Sequence, residues 1–128
     1  MGAAHELLAA RCPSWAVLDL IGERWVPTVL NALAPGPMRF TELKKAVDGV
    51  TAKALTETLR TLEQDGIVDR VETALAKPPR VDYSLTPLGR SLFEVVTPVR
   101  EWAEQHVGDI AEARRRYELD TPEDGGLY

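Results

Sequence analysis

The stretch from Thr51 to Gly66, TAKALTETLRTLEQDG, decides the fold. Its leucines recur at a spacing of four and then three residues, at Leu55, Leu59 and Leu62. This spacing places them on one side of a helix. Thr51 suits the N-cap because its hydroxyl can accept a backbone N–H, and Gly66 suits the left-handed stop. We therefore predict a helix over 51–65 that packs on a core through its leucines.

The opposite side of this helix is polar. It carries Lys53, Thr56, Glu57, Arg60 and Gln64. Side chains of these types can contact base edges and phosphates in the major groove of DNA. The ordinary alternative is a solvated face, which is the default for polar residues on a helix. The cations that surround the helix favour DNA, because Lys44 and Lys45 precede it and Lys77 and Arg80 follow it.

Four shorter elements are predicted before this helix. Ser14 is expected to cap a first helix that ends at Gly22, with its apolar face at Trp15, Leu18 and Ile21. A second helix is expected over 24–34, with Pro27 in its first turn and Trp25, Val29, Leu30 and Leu33 facing inward. A brief strand is predicted over 38–40, followed by a helix capped by Thr41 that runs to Val47, with Phe40, Leu43 and Val47 inward.

The chain after Gly66 alternates and then becomes helical again. Alternating residues over 67–73 and 80–85 predict two strands of a hairpin, with Lys77, Pro78 and Pro79 in its loop. Thr86 and Pro87 are a cap and a first helical residue, and they open a long helix to about residue 119. Pro98 is expected to kink or interrupt that helix. The segment 120–128 has the composition of a frayed terminus.

Charge and composition narrow the classes of function. The net charge is −5, yet residues 1–100 hold twelve basic and twelve acidic residues, so the excess acid lies in the C-terminal part. An acidic average therefore does not exclude a local basic face that binds DNA. No apolar run approaches the length of a membrane span, which predicts a cytoplasmic protein. A lone cysteine and two distant histidines predict no metal site and no cofactor.

Catalytic patterns are also missing from the sequence. The chain has no Gly-rich phosphate loop, no nucleophile beside a base and no ligand cluster, so we do not expect an enzyme. The predicted order of helices, hairpin and final helix is that of a winged helix-turn-helix, a mainly α fold with a small β-hairpin of the α+β class. The alternative function is a winged helix that binds proteins rather than DNA, because the fold hosts both tasks.

Several motifs closely resemble those of the HxlR-type winged helix-turn-helix regulators. The shared segments are Cys12-Pro13, IGERW at 21–25, RFTEL at 39–43, Leu55-Thr56, Leu59-Arg60, LEQDG at 62–66, PPRVDYSLT at 78–86 and Leu88-Gly89-Arg90. The resemblance covers about 12–102. It implies a single domain over 1–128, with a helical extension over 103–119. Glu57 and Thr58 depart from the family, whose members are often richer in Gln and Arg at these positions.

The resemblance implies a homodimer that binds palindromic operators and represses genes of detoxification or drug response. It places reading helices in the Thr51 segment, wings in the Lys77 segment, and dimer contacts in the N- and C-terminal helices. The predicted DNA-contacting residues are Lys44, Lys45, Thr51, Lys53, Thr56, Glu57, Arg60, Lys77 and Arg80. Some members of the family sense oxidants through a cysteine at the position of Cys12. The other interpretation of Cys12 is a small buried residue at the dimer contact.

The long final helix carries an apolar stripe that a chain of this size cannot cover. Because an uncovered stripe needs a partner, we predict a two-fold dimer. The dimerisation residues are expected to be Trp15, Leu92, Val95, Val99, Trp102, His106 and Ile110. The three tryptophans, Trp15, Trp25 and Trp102, are expected to pack in the core rather than to line a pocket for a small-molecule effector.

Overall fold

A computed structural model describes residues 13–121. Five helices and two strands follow one another in this part of the chain. The elements are α1 (Pro13–Gly22), α2 (Val26–Leu33), α3 (Phe40–Ala46), α4 (Ala52–Gln64), β1 (Val68–Thr73), β2 (Arg80–Leu85) and α5 (Pro87–Asp120). The chain forms two compact units, one that ends at Thr97 and one that begins at Pro98.

The core of the first unit lies between α2, α3 and α4. Helix α2 buries four of its eight residues, and α4 buries one narrow stripe of three leucines. The buried apolar side chains of this core are Val26, Val29, Leu30, Leu33, Leu43, Val47, Val50, Leu55, Leu59, Leu62, Ile67, Val68 and Val96. The predicted inward residues of α2 and α4 are thus confirmed, except that Trp25 is only half-buried against the core.

Helix α1 packs through a different face from the one predicted. Ser14 is already helical, so it is not the N-cap. Leu20 and Ile21 pack against the core, whereas Trp15 is 60% exposed and Leu18 is 51% exposed. The expectation that Trp15 belongs to the core was therefore wrong, because no other element among residues 13–97 covers this side of α1.

The starts of α2 and α3 also differ from the sequence-based prediction. Helix α2 begins at Val26, with Trp25 as the N-cap and Pro27 in the first turn, rather than at Arg24. Helix α3 begins at Phe40, with Arg39 rather than Thr41 as the N-cap. The reason is the Glu42 carboxylate, which accepts the backbone N–H of Arg39 at 2.9 Å and so satisfies the helix start two residues earlier.

The two strands form the predicted antiparallel hairpin. The register pairs Val68 with Leu85 at the base and Thr73 with Arg80 at the tip. The predicted strand over 38–40 is reduced to one residue: Met38 exchanges two backbone hydrogen bonds with Tyr83, at 2.9 and 2.8 Å. Phe40 instead enters α3. This bridge holds the hairpin against the segment between α2 and α3.

Helix α5 is anchored at its start to the end of α4. The Thr86 hydroxyl accepts the backbone N–H of Gly89 at 2.9 Å, which confirms Thr86 as the cap, and it donates to the carbonyl of Gly66 at 2.6 Å. Gly89 packs directly against the backbone of Ile67. Val96 is buried, and Leu92 and Phe93 pack beside it. The first turns of α5 therefore complete the core of the first unit.

Pro98 does not interrupt α5, which is helical from Pro87 to Asp120. Because Pro98 has no backbone N–H, the helix lacks one i→i−4 hydrogen bond at this residue. Over the part beyond Pro98, Glu112 pairs with Arg115 at 2.7 Å and with Arg116 at 3.4 Å. Asp120, which was predicted to belong to a frayed terminus, is still helical. Residues 122–128 lie outside the described part. Across residues 13–121 no helix is long and apolar enough to cross a membrane.

Candidate nucleic-acid interface

Helix α4 is held at both ends by local interactions. The Thr51 hydroxyl accepts the backbone N–H of Ala54 at 3.0 Å, which confirms it as the N-cap. Gly66 has a φ of +74°, the left-handed conformation that ends a helix and that glycine adopts without strain. Between these ends the three leucines are buried. Their burial fixes which side of α4 faces outward.

The outward side of α4 is solvent-exposed. Four of the five side chains predicted to lie there are exposed: Lys53, Glu57, Arg60 and Gln64. Thr56 differs, because it is half-buried and its hydroxyl donates to the carbonyl of Ala52 at 2.8 Å. Its hydroxyl is therefore engaged with the helix backbone, and Thr56 lies at the flank of the exposed face. We call Lys53, Glu57, Arg60 and Gln64 the reading face.

One flank of the reading face borders the hairpin. A polar cleft of about 360 Å³ lies between α4 and the strands. It is lined by Thr56, Leu59, Arg60, Glu63, Arg70 and Tyr83. Arg60 thus belongs both to the reading face and to this cleft, which we call the hairpin cleft. The structure places an arginine of β1 beside a predicted DNA-contacting arginine of α4.

The hairpin arginines are engaged in ion pairs along their own strands. Arg70 contacts Glu72 at 2.7 Å, and Arg80 contacts Asp82 at 2.9 Å. Hydrogen bonds to Glu72 and to the Tyr83 hydroxyl raise the pKa of Arg70, and the hydrogen bond to Asp82 raises the pKa of Arg80. Both groups are therefore permanently charged. Part of the charge of Arg80, a predicted DNA-contacting residue, is neutralised within the chain.

The other flank of the reading face borders the turn between α1 and α2. A second cleft, of about 370 Å³, is lined by Glu23, Arg24, Trp25, Ala54, Glu57, Thr58 and Thr61. The Arg24 guanidinium lies over the Trp25 ring, 4.8 Å from the ring centroid. Stacking of this kind holds an arginine side chain in place while its N–H donors stay at the edge of the group. We call this the turn cleft.

The remaining predicted cations lie on two other elements. Lys44 and Lys45 are exposed in the last turn of α3, the helix before α4. Lys77 is exposed in the hairpin loop. Arg24 and Arg70, in contrast, were not among the predicted contact residues. Helical periodicity could not have found them, because each becomes a neighbour of α4 only through the tertiary fold.

The predicted dimerisation residues present a largely exposed apolar surface. In the first unit, Trp15 and Val95 are exposed and Leu92 is half-buried. In the second unit, Val99, Trp102 and Ile110 are exposed, so Trp102 is not a core residue either. The Trp102 ring lies 4.6 Å from the half-buried ring of His106, whose Nδ1 is 3.1 Å from an Asp109 oxygen. Cys12 lies outside the described residues.

The first unit also contains an open apolar cavity of about 520 Å³. Its lining comes from α1, the turn after α4 and the first turns of α5: Ala16, Val17, Leu20, Asp65, Ile67, Leu88, Ser91, Leu92 and Val95. Neither Trp15 nor Trp25 lines it. Within residues 13–121 no group of three or more His, Cys, Asp or Glu side chains is placed to hold a metal ion.

A helix-turn-helix followed by a two-stranded wing, with the polar side of its second helix exposed, defines a winged helix-turn-helix. Comparison with known proteins agrees. Residues 20–111 match the family model described as HxlR-like helix-turn-helix. The chain belongs to this HxlR-like family, and it is a DNA-binding transcriptional regulator of the helix-turn-helix type.

Relatives of known sequence and structure support this assignment. The chain is 39% identical over 109 residues to the uncharacterized HTH-type transcriptional regulator YtfH of Escherichia coli, covering 85% of this chain and 86% of that one. A solved structure of the putative transcriptional regulator ytfH from Salmonella typhimurium is 38% identical, with a TM-score of 0.71 over 85% of this chain and 96% of that one. The redox regulator HypR in its reduced form is 38% identical, with a TM-score of 0.69 over 79% and 98%.

Proposed function

We propose that this regulator binds a palindromic operator as a homodimer and represses transcription. The observation that carries the proposal is the reading face, which is the polar, exposed side of α4 opposite three buried leucines. The chain that carries it belongs to a family of helix-turn-helix regulators. In this proposal α4 of each protomer enters a major groove, and Lys53 and Arg60 approach base edges or phosphates. Both side chains are exposed, as such a role requires.

The other proposed DNA contacts surround α4. Lys44 and Lys45 on α3 and Lys77 in the hairpin loop bind phosphates, because lysine is a flexible point charge without a planar fork. Arg80 contributes less than Lys77, since Asp82 already neutralises part of its charge. The Thr51 hydroxyl caps α4, so in this proposal Thr51 contacts DNA through its backbone. Glu57 repels phosphate and can accept a hydrogen bond from a cytosine amino group.

The proposed dimer forms through the exposed apolar residues of α1 and α5. Trp15, Val95, Val99 and Trp102 would bury their exposed apolar surface against a second copy. A homodimer gives two reading helices related by two-fold symmetry, which a palindromic operator matches. The protein is proposed to act as one functional domain over 1–128. A small-molecule effector remains a separate proposal, for which the apolar cavity of the first unit offers a site.

Selection of bound duplexes from random DNA tests this proposal. We expect enriched sites with two-fold symmetry and half-sites one helical turn apart, about 10 base pairs or a multiple. Six to ten phosphate contacts per dimer would give a salt slope of roughly −5 to −9 in log K against log salt. A protein-interaction module would show no enrichment and no such slope on duplex DNA, and that result would replace the proposal by its alternative.

Regulation by oxidation through Cys12 is a further part of the proposal. It is supported by the likeness to HypR, which is described as a redox regulator. A thiol of this kind needs nearby cations that favour the thiolate, and Arg11 precedes it in sequence. The test compares operator binding before and after diamide in the wild-type protein and in Cys12→Ser. Equal binding in all four samples would leave Cys12 as a packing residue.

A further inference from the structure

Two arginines lie on opposite flanks of the reading face. Arg24 lines the turn cleft with Ala54, Thr58 and Thr61 of α4. Arg70 lines the hairpin cleft with Thr56 and Glu63 of α4. These two sets of α4 positions fall on either side of Lys53, Arg60 and Gln64 when successive residues are placed 100° apart around the helix axis. The reading face therefore lies between two clefts, each with one arginine from another element.

The width of the DNA major groove explains what an arginine on each flank of α4 would contact. The major groove is about 12 Å wide, and an α-helix with its side chains is about 10–12 Å across. A helix that enters the groove therefore fills it, and the phosphates of the two strands lie beside its two flanks. An arginine on each flank is placed to meet one strand each.

Both guanidinium groups are held in position by their neighbours. The Trp25 ring supports the flat face of Arg24, and among residues 13–121 Arg24 takes part in no ion pair. Arg70 is held by Glu72 at 2.7 Å and lines the hairpin cleft together with Tyr83. An arginine has five N–H donors in a fixed plane, so each group retains donors for a phosphate oxygen. An arginine held in this way loses less conformational freedom on binding than a free lysine does.

We infer that Arg24 and Arg70 form a phosphate clamp, in which Arg24 binds the backbone of one DNA strand and Arg70 binds the backbone of the other strand across the same major groove. The inference rests on the proposed operator binding and adds two contacts to it. The clamp sets how deeply and at what angle α4 enters the groove, and it carries no sequence information. Carboxylates also line the clefts, namely Glu23, Glu57 and Glu63.

The test measures the salt dependence of operator binding in Arg24→Gln and Arg70→Gln. The nearby carboxylates weaken the attraction of each arginine, so the salt slope, which counts neutralised phosphates, is the better readout. Each substitution removes one phosphate contact per protomer. We expect the slope of the dimer to become shallower by roughly 1.8 in each variant. Affinity should fall by the same factor on operator and on mismatched duplex, so that their ratio is unchanged.

A control and a second measurement separate the clamp from other causes. Arg115→Gln removes the same charge from the far part of α5, where Arg115 pairs with Glu112, and should leave the slope unchanged. Ethylation interference should lose phosphates on one strand of each half-site in Arg24→Gln and on the other strand in Arg70→Gln. Loss of the same phosphates in both variants, or unchanged slopes, would overturn the clamp while wild-type operator binding still stands.

A further variant keeps the Arg70 half testable if Arg70→Gln fails to fold. Glu72→Gln removes the negative charge that competes with phosphate for Arg70, while the glutamine side chain keeps an oxygen that can accept from the guanidinium. Binding should strengthen by the same factor on operator and on mismatched duplex. No change, or a change on the operator alone, would remove Arg70 from the clamp. If the wild-type protein itself shows no salt-dependent binding to duplex DNA, that result contradicts the proposed function and not the clamp alone.

Discussion

Gly89 is a position at which the fold leaves no room for a side chain. It lies in the first turns of α5, where the helix backbone packs against the carbonyl group of Ile67 at the end of the α4 turn. The Thr86 hydroxyl binds both this turn and the backbone N–H of Gly89, at 2.6 and 2.9 Å. A side chain at position 89 would push α5 away from the end of the reading helix.

We expect Gly89→Ala to destabilise the protein, because the added methyl group would overlap the Ile67 carbonyl oxygen. Overpacking of this kind costs on the order of 1–3 kcal/mol. Gly108→Ala is the matched control, since it lies in the same helix with no atom within 4 Å of the added carbon. The control should be stabilised by about 0.5–1 kcal/mol. Urea unfolding followed by circular dichroism distinguishes the two, and equal free energies would contradict this account of Gly89.

Arg60 belongs to both the reading face and the hairpin cleft. A substitution can test whether its side chain contacts DNA. If Arg60 contacts a base edge, Arg60→Ala should weaken operator binding by on the order of 1–3 kcal/mol and relax the preference at one base position. Gel shifts on the operator and on single-base variants measure both effects. Unchanged affinity would remove Arg60 from the interface.

At the scale of single elements, the hairpin combines a rigid base with an exposed tip. Its base pairs Val68 with Leu85, and the Met38 bridge to Tyr83 fixes it to the rest of the first unit. Its loop carries Lys77, while Arg70 and Arg80 are bound to carboxylates on their own strands. The wing therefore offers one lysine at its tip and one held arginine near α4.

Lys77→Ala is expected to weaken binding to all DNA sequences alike, because a lysine in a loop contacts phosphate rather than bases. The salt slope of the dimer should become shallower by roughly 1.8, since each protomer loses one phosphate contact. Binding titrations at several salt concentrations, on operator and on random duplex, give the answer. A loss confined to the operator would mean that Lys77 reads sequence instead.

At the scale of the whole molecule, α1 and α5 expose large apolar side chains to solvent, and the packing of a single chain does not explain this exposure. Val95 is 62% exposed and Trp102 is 55% exposed, although both lie on a helix whose other residues include buried Val96. Exposed apolar surface of this kind marks an interface. In the proposed homodimer it is the surface that a second copy covers.

If the proposed dimer forms, we expect Val95→Glu to convert it into a monomer, because a carboxylate cannot be buried without a partner at an apolar contact. Val71→Glu is the control: Val71 is also half-exposed, at 52%, but lies on the hairpin and not on α5. Sedimentation velocity should report a monomer for the first variant and a dimer for the second. Dimers in both would place the interface elsewhere.

The sequence by itself determined the elements whose signals are local. The reading helix and its cap at Thr51, its stop at Gly66, the hairpin and the cap at Thr86 were all predicted and are present. Each depends on residues within three or four positions of one another, where periodicity and capping act. The exposed side of α4 followed in the same way, because three leucines fixed the buried side.

Only the tertiary structure decided what depends on residues far apart in sequence. It turned Trp15 and Leu18 outward on α1, and it reduced the predicted strand over 38–40 to a single bridge between Met38 and Tyr83. It also brought Arg24 and Arg70 to the flanks of α4. Burial, and which elements become neighbours, depend on the surfaces that come into contact once the chain has folded. No local pattern in the sequence encodes those contacts.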